Sequence, residues 1–160
     1  MAKNDVKIVD QGGHNVVPSR VYRTEAGATQ ILVGEPVKIG GTGSNYAIPV
    51  PTAEPTVAIG AVLGIAASDS NETASADGTV EVYLPLPGVL YRAKVTTPAN
   101  IDTDAKLLAL LNDNVGFTLA GGVYTLNEDD AVGDGLSIKD GSPAEGTIDF
   151  EVRGSATAQD

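Results

Sequence analysis

The chain has no cysteine in its 160 residues, so it can form neither a disulfide framework nor a thiolate metal site. Histidine occurs once, at His14, which excludes a histidine-rich metal site and argues against a catalytic dyad. Tryptophan is absent and aromatics make up only 4% of the chain, so the core is expected to consist of Val, Ile, Leu and Ala. No apolar run approaches the length of a membrane span, and the opening MAKNDVKIVD lacks the apolar stretch of a signal peptide. The chain is therefore expected to be made and used in soluble form, without a membrane partner. Basic residues are also few, 10 against 21 acidic ones, for a formal charge of −11. That balance argues against nucleic acid as a partner, because phosphates demand Lys and Arg.

What is present points to β-structure. Hydrophobic residues reach 42%, too many for a disordered chain at this charge density, and 19 Gly with 9 Pro imply short elements joined by tight turns. The length fits one domain with a single core, or a small domain plus an extended arm. Charge is unevenly spread. Residues 1–40 carry five basic and four acidic side chains, whereas residues 41–160 carry five basic and seventeen acidic. Chance asymmetry on an acidic surface is one reading; the other is that the first forty residues face a partner.

Along the chain, residues 1–27 read as an extended N-terminal arm. VKIV (6–9) is a short β-prone run, QGGHN (11–15) a hinge, and NVVPSRVYR (15–23) an extended segment that Pro18 bars from a central strand position. Residues 28–154 read as a single β-rich domain and 155–160 as a tail. Within the domain, GEPVKIG (34–40) is a turn and strand, NYAIPVPT (45–52) an edge strand, TVAIGAVLGIAAS (56–68) a buried strand and DSNETASADG (69–78) a polar loop. IDTDAKLLALLND (101–113) predicts one short helix, capped by Asp102 or Thr103, with Leu107, Leu108 and Leu111 as its apolar stripe. VGFTLAGGVYTLNED (115–129) reads as a hairpin about Gly121-Gly122, and LSIKD (136–140) and GTIDFEVRG (146–154) as two closing strands.

GTVEVYLPLPGVLYRAKV (78–95) alternates, breaks at Pro-Leu-Pro-Gly, and alternates again with the opposite parity: Val80, Val82, Leu84 and Leu86 before, Val89, Tyr91, Ala93 and Val95 after. A hairpin keeps both sets on one face, closed either by Pro87-Gly88 or by the four residues Pro85–Gly88; a one-residue bulge is the other solution. The corner Pro85, Leu86, Pro87 with Val89 then either tucks over the domain's own core or serves as a subunit interface of pre-stiffened apolar residues.

No residue pattern carries catalysis. There is no G-x-S-x-G elbow, P-loop or dinucleotide fingerprint, and His14 lies in a glycine-flanked segment where a general base is poorly held. The acidic stretches 69–78 and 127–135 lack the spacing of a calcium loop and read as solvated loops, a weak cation site being the alternative. Converging carboxylates of a glycosidase type cannot be read from sequence, though the scarcity of aromatics disfavours a sugar site. The expectation is no catalytic, cofactor-binding or metal-ligating residues, no cofactor, and a structural or binding role.

GEPVKIG (34–40), VAIGAVLGIAASDSNETA (57–74), DGTVEVYLPLPGVLYRAKV (77–95) and GTIDFEV (146–152), in that order, resemble the capsid decoration, or cement, proteins of tailed bacteriophages. The resemblance spans most of residues 28–152. It implies an all-β fold, barrel or β-tulip-like or a small sandwich, assembled as a homotrimer on the outer capsid surface of the virion. It further implies a non-enzymatic role in stabilising contacts of the major capsid protein, with the N-terminal arm as the docking element. The residues of that arm expected to meet the capsid are Val6, Ile8, Val9, His14, Val16, Val17, Arg20, Tyr22 and Arg23, by strand addition and by pairing of the arginines with acidic groups. A carbohydrate- or cell-surface-binding β-module of fibre or adhesin type is the alternative reading.

Overall fold

A computed structural model describes residues 6–40, 44–51, 62–128 and 135–153. Eleven strands and one α-helix make up the described part, in two antiparallel sheets and a separate hairpin. The first sheet has the order β1-β7-β11-β10, from β1 (Lys7–Gln11), β7 (Val89–Lys94), β11 (Thr147–Val152) and β10 (Leu136–Ser142). The second has the order β2-β6-β5-β3-β4, from β2 (Ser19–Thr24), β6 (Gly78–Tyr83), β5 (Gly64–Ala66), β3 (Pro36–Ile39) and β4 (Ala47–Pro49). β8 (Gly116–Ala120) and β9 (Val123–Asn127) form the hairpin about Gly121-Gly122. The expected all-β architecture with one short helix is what the chain adopts.

Two apolar cores follow from strand alternation. In β6, Val80 and Val82 point into the second sheet's own cluster with Ile31, Val37, Ala47, Leu63 and Ala66, while Thr79 and Glu81 face outward. In β7, Val89, Tyr91 and Ala93 point into the larger core between the first sheet, the β8–β9 hairpin and α1 (Asp104–Leu110). The centre of that core is aromatic rather than aliphatic. Phe150 lies 5.9 Å from Tyr91 and 5.7 Å from Phe117, and Phe117 meets Tyr124 edge-on at 6.1 Å. The expectation of a purely aliphatic core followed from the low aromatic count, but four of the chain's seven aromatics, Tyr91, Tyr124, Phe117 and Phe150, are spent here. Burial raises the phenol pKa of both tyrosines, whose hydroxyls donate to the carbonyls of Leu84 and Val50.

The corner at 84–88 is neither a hairpin nor a bulge. β6 belongs to the second sheet and β7 to the first, so the chain changes sheets at Pro-Leu-Pro-Gly and each apolar set enters a different core. The chain crosses between the sheets a second time, between β1 and β2, and the two crossings touch. A Cβ on Gly12 would sit 2.5 Å from the carbonyl carbon of Gly88, so the backbones meet where no side chain fits.

Residues 7–11 and 19–24, expected within an arm preceding the domain, are extended but lie inside the fold. β1 pairs with β7 and β2 pairs with β6, each as the outermost strand of its sheet. Val6 and Val17 supply the reason: both are 4% exposed and belong to the main core, so they fasten the segment at either side of the Gly12-Gly13 turn. The buried strand expected over 56–68 is, among the described residues, the short β5; residues 52–61 lie outside the description. The acidic stretch 129–134 lies outside it as well.

The helix starts where its cap predicts, with the Thr103 side chain accepting from the Lys106 N–H and Asp104 in the first turn. Its stripe differs from the expected one. Leu107 is buried and Leu110 and Leu111 are half-buried against the core, whereas Leu108 is 65% exposed. The seven-residue helix presents an i, i+3, i+4 face, and Leu108 falls just outside that arc.

Candidate interaction surface

The described residues include no group of three or more acidic or histidine side chains placed to hold a metal ion. They also include no helix long and apolar enough to cross a membrane. The distinctive surface is instead the N-terminal segment that runs along one edge of each sheet. Edge strands leave a row of main-chain donors and acceptors available for pairing. Five large hydrophobic side chains are exposed among the described residues, and three of them, Val9, Val16 and Val21, fall on this one segment.

The nine residues expected to form a docking arm divide by burial. Val6 and Val17 are core anchors and turn away from solvent. Ile8 and Tyr22 are half-buried, Ile8 against the main core and Tyr22 against the second. Val9, His14, Val16, Arg20 and Arg23 remain exposed. Sequence reading missed Val21, which is 62% exposed. Its signal was the strand parity of SRVYRT, since Tyr22 opposite Val80 faces the core and Val21 opposite Glu81 must then face out.

β2 is held firmly at both ends. The Ser19 hydroxyl bonds the Glu81 carboxylate. The Arg20 guanidinium lies 5.6 Å from the centre of the Tyr22 ring, and that of Arg23 lies 5.6 Å from the ring of Tyr46 just before β4. The second sheet thus curls until its first and last strands approach each other.

The polar loop at 69–78 is the clasp of this curl. Asp77 accepts from the Tyr46 hydroxyl at 2.8 Å, from the Ala26 N–H at 3.0 Å and from Arg23 at 2.9 Å. The Asp69 carboxylate accepts from the Val33 N–H, and Glu72 accepts from the hydroxyls of Thr24 and Ser70. These acids are engaged with separate parts of the chain's own backbone and side chains rather than gathered about one point.

The hydrogen bond from Tyr46, then that from Ala26, with the nearby Arg23 charge, hold the Asp77 carboxyl below the ordinary aspartate value. A depressed folded-state pKa stabilises the fold above the unfolded value, and that stabilisation is lost as pH falls through the folded one. Asp77→Asn is therefore expected to lower the melting temperature at neutral pH, with the difference from wild type shrinking below about pH 4. Thermal melts of both proteins across that range check it.

Three of the four corner residues pack on the chain's own core. Val89 is fully buried in the main core, Pro85 is buried, and Leu86 is half-buried against the same core; only Pro87 is exposed. The rigid corner covers the chain's own interior.

No family model, curated protein or solved structure matches the chain.

Proposed function

We propose that the protein is a capsid decoration protein of a tailed bacteriophage. In this reading it binds the outer surface of the mature head as a trimer and clamps neighbouring major capsid protein subunits. The observation that carries the reading is the N-terminal segment: two edge strands, β1 and β2, that expose Val9, Val16 and Val21 beside Arg20 and Arg23. Apolar side chains interleaved with arginine are the composition of protein–protein contact surfaces. An open strand edge lets a partner add main-chain hydrogen bonds.

The resemblance of most of residues 28–152 to cement proteins suggests the partner. In this reading docking does not begin from a free arm. A free arm would lose roughly 1–2 kcal/mol per residue in backbone entropy on ordering. A segment already paired to β6 and β7 and anchored by Val6 and Val17 has met that cost on folding, so its contacts contribute to affinity directly. In a trimer three such edges act together, and a weak individual contact becomes strong through effective concentration.

Paired substitution of Val16→Ser and Val21→Thr tests this surface. Both side chains are exposed, so the free protein should melt as wild type does, while binding to expanded heads weakens roughly tenfold through lost apolar contact. Unchanged binding by a folded double variant contradicts the assignment.

A further inference from the structure

The outer face of the first sheet holds a cleft of about 600 Å³ between β1, β7 and the turn that joins β10 to β11. Its walls are unusual for so acidic a chain, because Lys7, Arg92 and Lys94 all line it. Lys7 stands directly opposite Arg92 across the β1–β7 pair, and like charges in that position destabilise a sheet. The acidic side chains nearby, Asp149, Glu145 and Asp140, act on Arg92 and, among the described residues, leave both lysines without an ion pair. Asp149 gives both carboxylate oxygens to Arg92, at 2.6 and 2.8 Å, and Glu145 lies 3.7 Å from the same guanidinium. Neither Lys7 nor Lys94 has an ion pair or hydrogen bond among the described residues.

A second observation falls on the same cleft. Thr147, opposite Lys94 on β11, lines it and is 7% exposed, and its hydroxyl oxygen is buried without any hydrogen-bond partner. Buried polar groups are as a rule satisfied, and an orphaned hydroxyl costs about 1–3 kcal/mol. Two ammonium groups without partners line one open space, and a buried hydroxyl without a partner sits in its wall on the adjacent strand, so the cleft is short of acceptors.

We propose that this cleft binds a small oxyanion, through the chemistry shared by a phosphate group and a carboxylate. Anionic oxygens accept from the Lys7 and Lys94 ammoniums and from the Thr147 hydroxyl, while Arg92, already held by Asp149, contributes field rather than a fresh contact. Charge-assisted bonds of this kind are the strong ones, and the anion relieves the Lys7–Arg92 repulsion. The site lies on the first sheet and does not depend on the capsid reading.

Amide and lysine side-chain NMR of the full chain, titrated separately with inorganic phosphate and with succinate, tests it against sodium chloride of matched ionic strength. Saturable shifts at Lys7, Arg92–Lys94 and Glu145–Thr147 are expected with at least one of the two. Saturation by phosphate alone identifies a phosphate site, and by succinate alone a carboxylate site. The Lys7→Met/Lys94→Met double variant should weaken binding at least tenfold. Thr147→Val should weaken it several-fold, with Thr147→Ser restoring it, and melting curves report that each variant is folded. Shifts no larger than those in chloride, or equal affinity in a folded double lysine variant, overturn the proposal.

Discussion

Gly64→Ala is expected to be among the most damaging single-atom additions the protein can suffer. Gly64 begins β5 with a φ of +151°, and a Cβ built there would lie 1.9 Å from the carbonyl oxygen of Tyr83 and 2.9 Å from the Cγ1 of Val82. The first of these atoms is backbone and belongs to β6, the strand that β5 pairs with through Ile65–Tyr83 and Ala66–Val82. No rotamer change can relieve such an overlap; the two strands must separate. Among the described residues β5 is the strand that joins the β2–β6 pair to the β3–β4 pair by main-chain pairing, so separation breaks the second sheet's ladder and opens the core of Val37, Leu63, Val80 and Val82. Backbone strain combined with lost packing puts the cost at roughly 3–5 kcal/mol, against a total stability of about 5–15 kcal/mol for an ordinary domain. Urea unfolding measures it. A midpoint within error of wild type would mean that β5 does not lie against β6 as described.

Phe150→Ala should do comparable harm to the other core. Phe150 is fully buried on β11, a central strand of the first sheet, and joins Tyr91 of β7 to Phe117 of the hairpin. Truncation removes its apolar contact area, leaves a cavity between the sheet and the hairpin, and breaks both ring contacts. Changes of this type cost about 3–5 kcal/mol. The loss should be accompanied by faster amide exchange in β8 and β9, because among the described residues the hairpin belongs to neither sheet, is bridged to the chain after β7 at Val95–Leu126, and otherwise leans on this packing. Phe150→Leu, which keeps most of the volume, should recover a large part of the stability. Equal stability of the alanine variant would contradict the placement of the aromatic cluster at the core's centre.

Elements whose signals are local were legible in the sequence. The hairpin about Gly121-Gly122, the edge strand ending at Pro49, the alternation of 147–152 and the Thr103 cap each announce themselves within a few residues. Pairing partners did not. The change of parity between Val82 and Val89 is satisfied equally by a hairpin within one sheet and by a strand that leaves one sheet for another. Only the distant strands β11 and β5, which claim β7 and β6 respectively, decide between them. The same holds for VKIV and SRVYR, whose short runs carry no sign of the edges that β7 and β6 offer them. The Arg92–Asp149 pair and the orphaned Thr147 hydroxyl join residues more than fifty positions apart or depend on burial, and no spacing rule reaches either. The composition told how few aromatics there were, not that most would gather in one place. For the candidate interaction surface, which side chains of the N-terminal segment face out depended on register, and Val21 came to light only through its pairing opposite Glu81.

We propose that this chain is a protein of the capsid exterior that docks by the edges of β1 and β2. Co-sedimentation of the purified protein with expanded, mature heads of a tailed phage tests it most directly. Saturable recovery in the pellet, with a stoichiometry in multiples of three per occupied site and a loss of roughly tenfold in affinity for the Val16→Ser/Val21→Thr variant, is the predicted result. Protein that stays in the supernatant with expanded heads at every concentration and salt tested would contradict it.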